Sequence, residues 1–470
     1  MEKTVHAGLL VLGGGPGGYT AAFRAADLGL DVVLVERDPY LGGVCLNVGC
    51  IPSKTLLHAA LVLKQAREIS DHGISFSEPR IELTKLRSWK DSVVSKLTQG
   101  LAGLARQRSV RVLQGEGKFV GSHELRLTGP EGEQRILFEQ AIIAAGSHPV
   151  RLPMLPSDPR IMDSTSALNL EDIPKRLLVL GGGIIGLEMA EIYSSLGSQV
   201  TIVERTDGLL PGCDRDLVKP LKAEVCKRYE AVLTKTEVTA VVAEAQGLRV
   251  SFNNSQESAY YDKLLCAVGR APNGNALNAE KAGFLVDTEG FIKVDEFQRT
   301  TLKHIYAIGD VVGNPMLAHK ATYEGKVAAE VAAGYKVAND AKVIPSVAYT
   351  HPEVAWVGLT ETQARVTGRQ YIKASFPWLA SGRARTFGAE QGLSKLLVDP
   401  DTGVIIGAGI VGANAGELIS EAALAIELGL EPSEIALTIH PHPTLSETVA
   451  FAAEAYDGTL TELYLDKLSI

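Results

Sequence analysis

Short unbroken apolar runs alternate along this chain with stretches whose apolar residues fall at helical spacing. That is the pattern of strands buried on both faces with helices covering them. Leu9-Leu10-Val11-Leu12 is one such run, ended by Gly13-Gly14-Gly15. A helical stretch from Pro16 to Leu28 follows, and Val32-Val33-Leu34-Val35 forms a second run that closes on Glu36. The whole unit returns: Leu177 to Thr206 lies over Leu9 to Asp38 at one constant offset and without a gap. Gly181, Gly183, Gly186 and Glu204 fall on Gly13, Gly15, Gly18 and Glu36. Such a repeat predicts one βαβ unit used twice.

Two further runs, Ala141 to Gly146 and Leu264 to Gly269, end in glycine and are followed closely by Pro149 and Pro272. They predict strands that lead the chain out of each unit. Another buried strand lies between His304 and Asp310, and beyond Lys342 the pattern changes to turns, shorter strands and helices such as Ala415 to Gly429. The expected fold is α/β, with two Rossmann-like nucleotide-binding domains at 1–146 and 147–268. A central segment at 269–341 and a C-terminal α+β domain at 342–470 complete it.

Composition narrows the class. A chain of 470 residues exceeds one compact core. A net charge of −9 leaves no basic surplus to neutralise phosphates, which argues against nucleic acid as a partner. The longest apolar stretches, Leu177 to Leu187 and Val404 to Val411, are short and interrupted by glycine, so no membrane partner is expected. No secretory leader pattern opens the chain, and a cytoplasmic location is the simplest expectation. Five cysteines spread over this length do not form a secreted disulfide framework. Cys213, Cys226 and Cys266 stand alone and read as plain reduced residues.

In each repeat the glycine triplet follows a strand and opens a helix. There the backbone can turn tightly and bring a pyrophosphate to the positive end of the helix. Glu36 and Glu204 end the next strand, where a carboxylate can accept from a ribose 2′-hydroxyl and would repel a 2′-phosphate. At the second unit this favours the nicotinamide dinucleotide without that phosphate, Arg205 being expected on the opposite face of the strand.

Cys45 and Cys50 sit in Gly42-Gly43-Val44-Cys45-Leu46-Asn47-Val48-Gly49-Cys50-Ile51-Pro52-Ser53-Lys54. Five positions apart on a regular helix they would be roughly 8 Å apart, farther than a disulfide spans, so the segment must depart from ideal helix near Gly49. A ring this small stabilises a fold little, which leaves redox exchange as the better reason for a bridge. Two buried thiols or half of a metal site are the alternatives, although the segment offers no further metal ligands.

GGVCLNVGCIPSK resembles the signature of the pyridine-nucleotide disulfide oxidoreductases. The resemblance covers the whole chain, in the order FAD unit, NAD unit, central segment and interface segment. Pro315 to Ala321 and His440 to Glu447 make it most similar to the dihydrolipoamide dehydrogenases of that family. The resemblance implies FAD held by Gly13, Gly15, Gly18, Glu36, Lys54, Gly117, Asp310 and Ala318. It implies NAD held by Gly181, Gly183, Gly186, Glu204, Val238, Gly269 and Arg270, with Lys54 paired to Glu188 beside the flavin. Cys45 would exchange with the substrate disulfide and Cys50 would face the flavin as a thiolate. His442, oriented by Glu447, would be the base, supplied across a homodimer, with Pro441 standing where relatives carry alanine. The implied partners are the lipoyl domains of 2-oxo acid dehydrogenase complexes and of the glycine cleavage system. Glutathione reductase is disfavoured by Glu204, and mercuric reductase by the lack of cysteine after Cys266. A non-catalytic flavoprotein scaffold would need neither the Cys45–Cys50 nor the His442–Glu447 pair.

Overall fold

The computed structural model describes residues 3–254, 257–386 and 388–464. Strand Lys3–Leu12 lies at the centre of the first sheet, parallel to Val32–Glu36 on one side and to Gly132–Ile143 on the other. Leu9, Leu10 and Val11 are fully buried, as a strand with helices on both faces requires. Each such side chain contributes about 1.5–3 kcal/mol of burial. The second sheet repeats the theme, with Arg176–Leu180 parallel to Gln199–Val203 and to Lys263–Cys266.

The repeat is as regular in space as in sequence. Helix Pro16–Asp27 and helix Ile184–Ser195 begin and end at equivalent positions of the two units. Gly13 and Gly181 carry φ of 110° and 104°, a conformation natural to glycine.

Residues 269–341 do not form a core of their own. Strand Ile305–Ala307 joins the first sheet beside Gly132–Ile143, and Leu277, Phe284 and Ile292 pack with Leu10, Val33 and Phe119. Helix Ala318–Ala332 lies against helix Pro16–Asp27 at small residues, where a Cβ on Gly325 would come 2.6 Å from the Gly17 carbonyl. The central segment therefore completes the first domain, a long-range pairing that no local pattern announces. Where the two nucleotide units meet, Ser147–Pro149 and Arg270–Pro272 pair as short antiparallel strands.

The C-terminal part is a five-stranded antiparallel sheet covered by helices Ala415–Leu428 and Glu447–Asp457. A buried charge cluster ties it to the second unit. Lys395 Nζ donates to Asp214 at 2.8 Å, Asp216 at 2.7 Å and Glu361 at 2.5 Å, and its side chain is 1% exposed. Removing one partner of such a cluster leaves uncompensated buried charge, so Lys395→Met should cost about 3–5 kcal/mol. A chemical-denaturation midpoint unchanged from the parent would contradict this.

One helical run, Gly43–His72, is long and apolar enough to cross a membrane by length and composition. It is broken at Gly49, packs against helices Leu83–Gln107 and Ile184–Ser195, and carries the ion-paired Lys54. It is a core helix.

Candidate active site

A cavity of about 1830 Å³ runs between the two nucleotide units. That exceeds the usual 300–1,000 Å³ of a single small-molecule pocket and suits two elongated ligands. Both glycine turns line it, together with Glu36, Glu204, Cys45, Cys50, Lys54, Glu188, Gly117, Asp310, Ala318, Val238, Gly269 and Arg270.

The glycines divide by role. A Cβ on Gly18 would lie 1.8 Å from the Gly13 carbonyl, and one on Gly186 would lie 2.0 Å from that of Gly181. These two permit close packing of helix on strand, and Gly186 itself does not line the cavity. A Cβ on Gly15 would meet only Gly43 Cα, at 3.9 Å, and one on Gly183 would meet nothing within 4 Å. Those positions are free of protein contact, and neither helix start receives a side-chain cap. Open glycines and uncapped helix N–H groups together are what a dinucleotide pyrophosphate fits.

The paired glutamates do more than the sequence suggested. Glu36 accepts from Gly14 N at 2.7 Å and Asp38 N at 2.9 Å; Glu204 accepts from Gly182 N at 2.8 Å and Thr206 N at 2.7 Å. Each carboxylate thus fixes its own glycine turn, and keeps lone pairs for a ribose hydroxyl. One expectation is corrected here. The strand ends at Val203, so strand alternation does not govern Arg205, which lines the cavity next to Glu204. The preference against a 2′-phosphate rests on the buried Glu204 alone.

The cysteine segment departs from helix at the expected place. Helix Gly43–Val48 stops, Gly49 adopts φ −142° and ψ −108°, and helix Cys50–Glu68 begins. A Cβ at Gly49 would lie 2.8 Å from the Val44 carbonyl, so a larger residue would push the two helices apart. The two sulfurs are unbridged and close enough for each to act on the ionisation of the other. The Cys45 hydrogen bond, assisted by the Lys54 charge and opposed by burial, brings Cys50 down to about 7. Cys45 is pushed up by the same hydrogen bond, by burial and by the Cys50 charge.

The sign of the pH effect follows. Cys50 is an acid whose folded value is depressed, so its thiolate stabilises the reduced protein fully above the unfolded thiol range and loses that effect as pH falls through about 7. Its alkylation rate should be flat above pH 8 and fall about tenfold per unit below pH 6. A rate still rising between pH 8 and 9 would contradict the assignment.

Lys54 Nζ donates to both oxygens of Glu188, at 2.9 and 2.8 Å, and lies 4.4 Å from the centre of the Tyr349 ring. Tyr349 N also donates to Glu188, at 3.2 Å. The C-terminal domain therefore supplies one wall of the site, a contribution invisible in sequence because Tyr349 sits in no motif.

His442 and Glu447 stand apart from the cavity. His442 Nδ1 lies 2.8 Å from Glu447 Oε1, Thr444 N donates to Glu447 Oε2 at 2.7 Å, and the His442 side chain is 80% exposed. Within one chain this pair is assembled but does not face the thiols. What lowers Cys50 here is Cys45 and Lys54, not the histidine.

Residues 8–325 match the model of the pyridine nucleotide-disulphide oxidoreductases, and residues 344–453 match the dimerisation domain of the same family. The chain belongs to that family. Among curated proteins it is 53% identical to the dihydrolipoyl dehydrogenase of Vibrio cholerae, covering 98% of both chains. It is also 53% identical to that of Haemophilus influenzae, with the same coverage, and 44% identical to that of Geobacillus stearothermophilus over 96% of both. Two solved structures share the fold. LpdA of Mycobacterium tuberculosis superposes with a TM-score of 0.89 at 26% identity, covering 96% of this chain and 99% of its own. The Cu(II) complex of the HOCl-induced flavoprotein disulfide reductase RclA of Escherichia coli does so with 0.86 at 29%, covering 97% and 99%.

Proposed function

We propose that this pyridine nucleotide-disulphide oxidoreductase is an NAD-dependent dihydrolipoyl dehydrogenase, carrying FAD and acting in the cytoplasm on lipoyl domains of 2-oxo acid dehydrogenase complexes. The observation that carries the reading is the Cys45–Cys50 pair on the wall of the cavity that both glycine turns line, with the Lys54 charge favouring the thiolate at Cys50.

That polarity assigns the steps. In the oxidised enzyme a substrate thiol gives its proton to His442 and attacks Cys45 Sγ as the thiolate. The Cys45–Cys50 bond breaks and Cys50 leaves as the thiolate, the lower-pKa sulfur being the better leaving group. The second substrate thiol attacks the substrate sulfur bound to Cys45, closing the lipoyl disulfide and leaving its proton on Cys45. Two electrons now rest on the cysteine pair. Bound FAD and NAD supply the two-electron and hydride chemistry that returns the pair to a disulfide. Lys54, held by Glu188 and Tyr349, keeps a positive charge near Cys50 throughout.

The exposed His442, away from the thiols of its own chain, supports a homodimer in which each cavity receives this base from the partner. Steady-state oxidation of dihydrolipoamide tests the function. Turnover with NAD well above that with NADP is expected; no dihydrolipoamide turnover with either, in flavin-loaded protein, would reject it.

A further inference from the structure

Polar groups such as Lys54 and Glu188 join the two nucleotide units, and one chain of hydrogen bonds crosses their junction at the cavity. Arg270 Nε donates to Ser147 Oγ at 2.7 Å, and Arg270 Nη2 donates to the Ser147 carbonyl at 2.7 Å. Ser147 Oγ in turn donates to Asp310 Oδ2 at 2.5 Å. The direction of these bonds is fixed by chemistry. A guanidinium has no acceptor, so the serine oxygen must accept from Arg270 and spend its one hydrogen on Asp310.

Position gives the triad its reach. Ser147 is 5% exposed and opens the short strand by which the chain leaves the first sheet, while Arg270 opens the strand leaving the second. Arg270 and Asp310 both line the cavity. The Asp310 charge favours the half-buried guanidinium that burial disfavours, so the ends attract across the serine.

We propose that Ser147 is a positioning residue that couples the two nucleotide sites, holding Asp310 for the flavin side and Arg270 for the nicotinamide side through one hydroxyl. This rests on the proposed assignment of the two sites, not on the identity of the thiol substrate. A nicotinamide dinucleotide seated against Arg270 while Ser147 holds it alters the bond from Arg270 to Ser147 Oγ and, through it, the bond to Asp310. By linkage, what is done to the flavin side changes nicotinamide affinity by the same factor.

The test uses flavin-loaded, oxidised protein and no thiol substrate. NAD is titrated while the visible flavin spectrum is recorded, and the rate of FAD release in chaotropic salt is measured with and without NAD. In the parent, NAD shifts the spectrum and changes the release rate. In Ser147→Ala, NAD binds about tenfold more weakly, the worth of one hydrogen bond to a charged group, and both responses disappear. Ser147→Thr, which keeps the hydroxyl, restores them. Arg270→Lys, which keeps the charge but loses the two-pronged grip on Ser147, abolishes them independently of how well the alanine variant folds. Parent protein without an NAD response, or alanine and lysine variants that keep it, would overturn the proposal. Loss of dihydrolipoamide turnover in the parent would instead strike the function, leaving this coupling intact.

Discussion

Cys45→Ser should lower dihydrolipoamide turnover by roughly 10⁴–10⁶-fold, the scale seen when a group that bonds covalently to substrate is removed. The serine hydroxyl can neither form the disulfide with Cys50 nor receive the substrate thiolate. The same change exchanges the thiol that chiefly lowers Cys50 for a hydroxyl, which can still donate to the Cys50 sulfur. The variant should still bind FAD, because the glycine turns and their glutamates lie elsewhere on the wall, and NADH should still bleach the flavin. The assay pairs lipoamide turnover with anaerobic flavin reduction. A variant that retains more than about one part in 10³ of parent turnover would show that Cys45 is not the exchange sulfur.

His442→Gln should reduce turnover by about 10²–10⁴-fold, the usual worth of a positioned general base. Glutamine can take the hydrogen bond that Glu447 Oε1 now shares with His442 Nδ1 at 2.8 Å, so the fold should persist. Flavin reduction by NADH should be untouched. Because the base is proposed to come from the partner, mixing inactive Cys45→Ser and His442→Gln subunits should recover activity in the heterodimers. Parent-like activity in His442→Gln alone would remove the histidine from the mechanism.

Much of this was legible in the residues. The duplicated run of strand, glycine turn, helix and strand fixes both nucleotide units, because every local signal there agrees with the final packing. The break at Gly49 was legible too, since two sulfurs five positions apart cannot meet on a regular helix. What stayed hidden depends on distant contact. Strand Ile305–Ala307 returns to the first sheet beside Gly132–Ile143, which no local periodicity encodes. Tyr349 and Ser147 lie in no motif, and only the fold brings them to Lys54 and Asp310. Arg205 was misplaced because strand alternation was extended past the residue where the strand ends.

The sharpest measurement is a titration of flavin-loaded protein with one equivalent of NADH in the absence of oxygen. A Cys50 thiolate against bound flavin should give a long-wavelength absorption band that fades as pH is lowered through about 7. Flavin that bleaches fully with no such band at any pH would mean that the two sulfurs take no electrons from the nicotinamide.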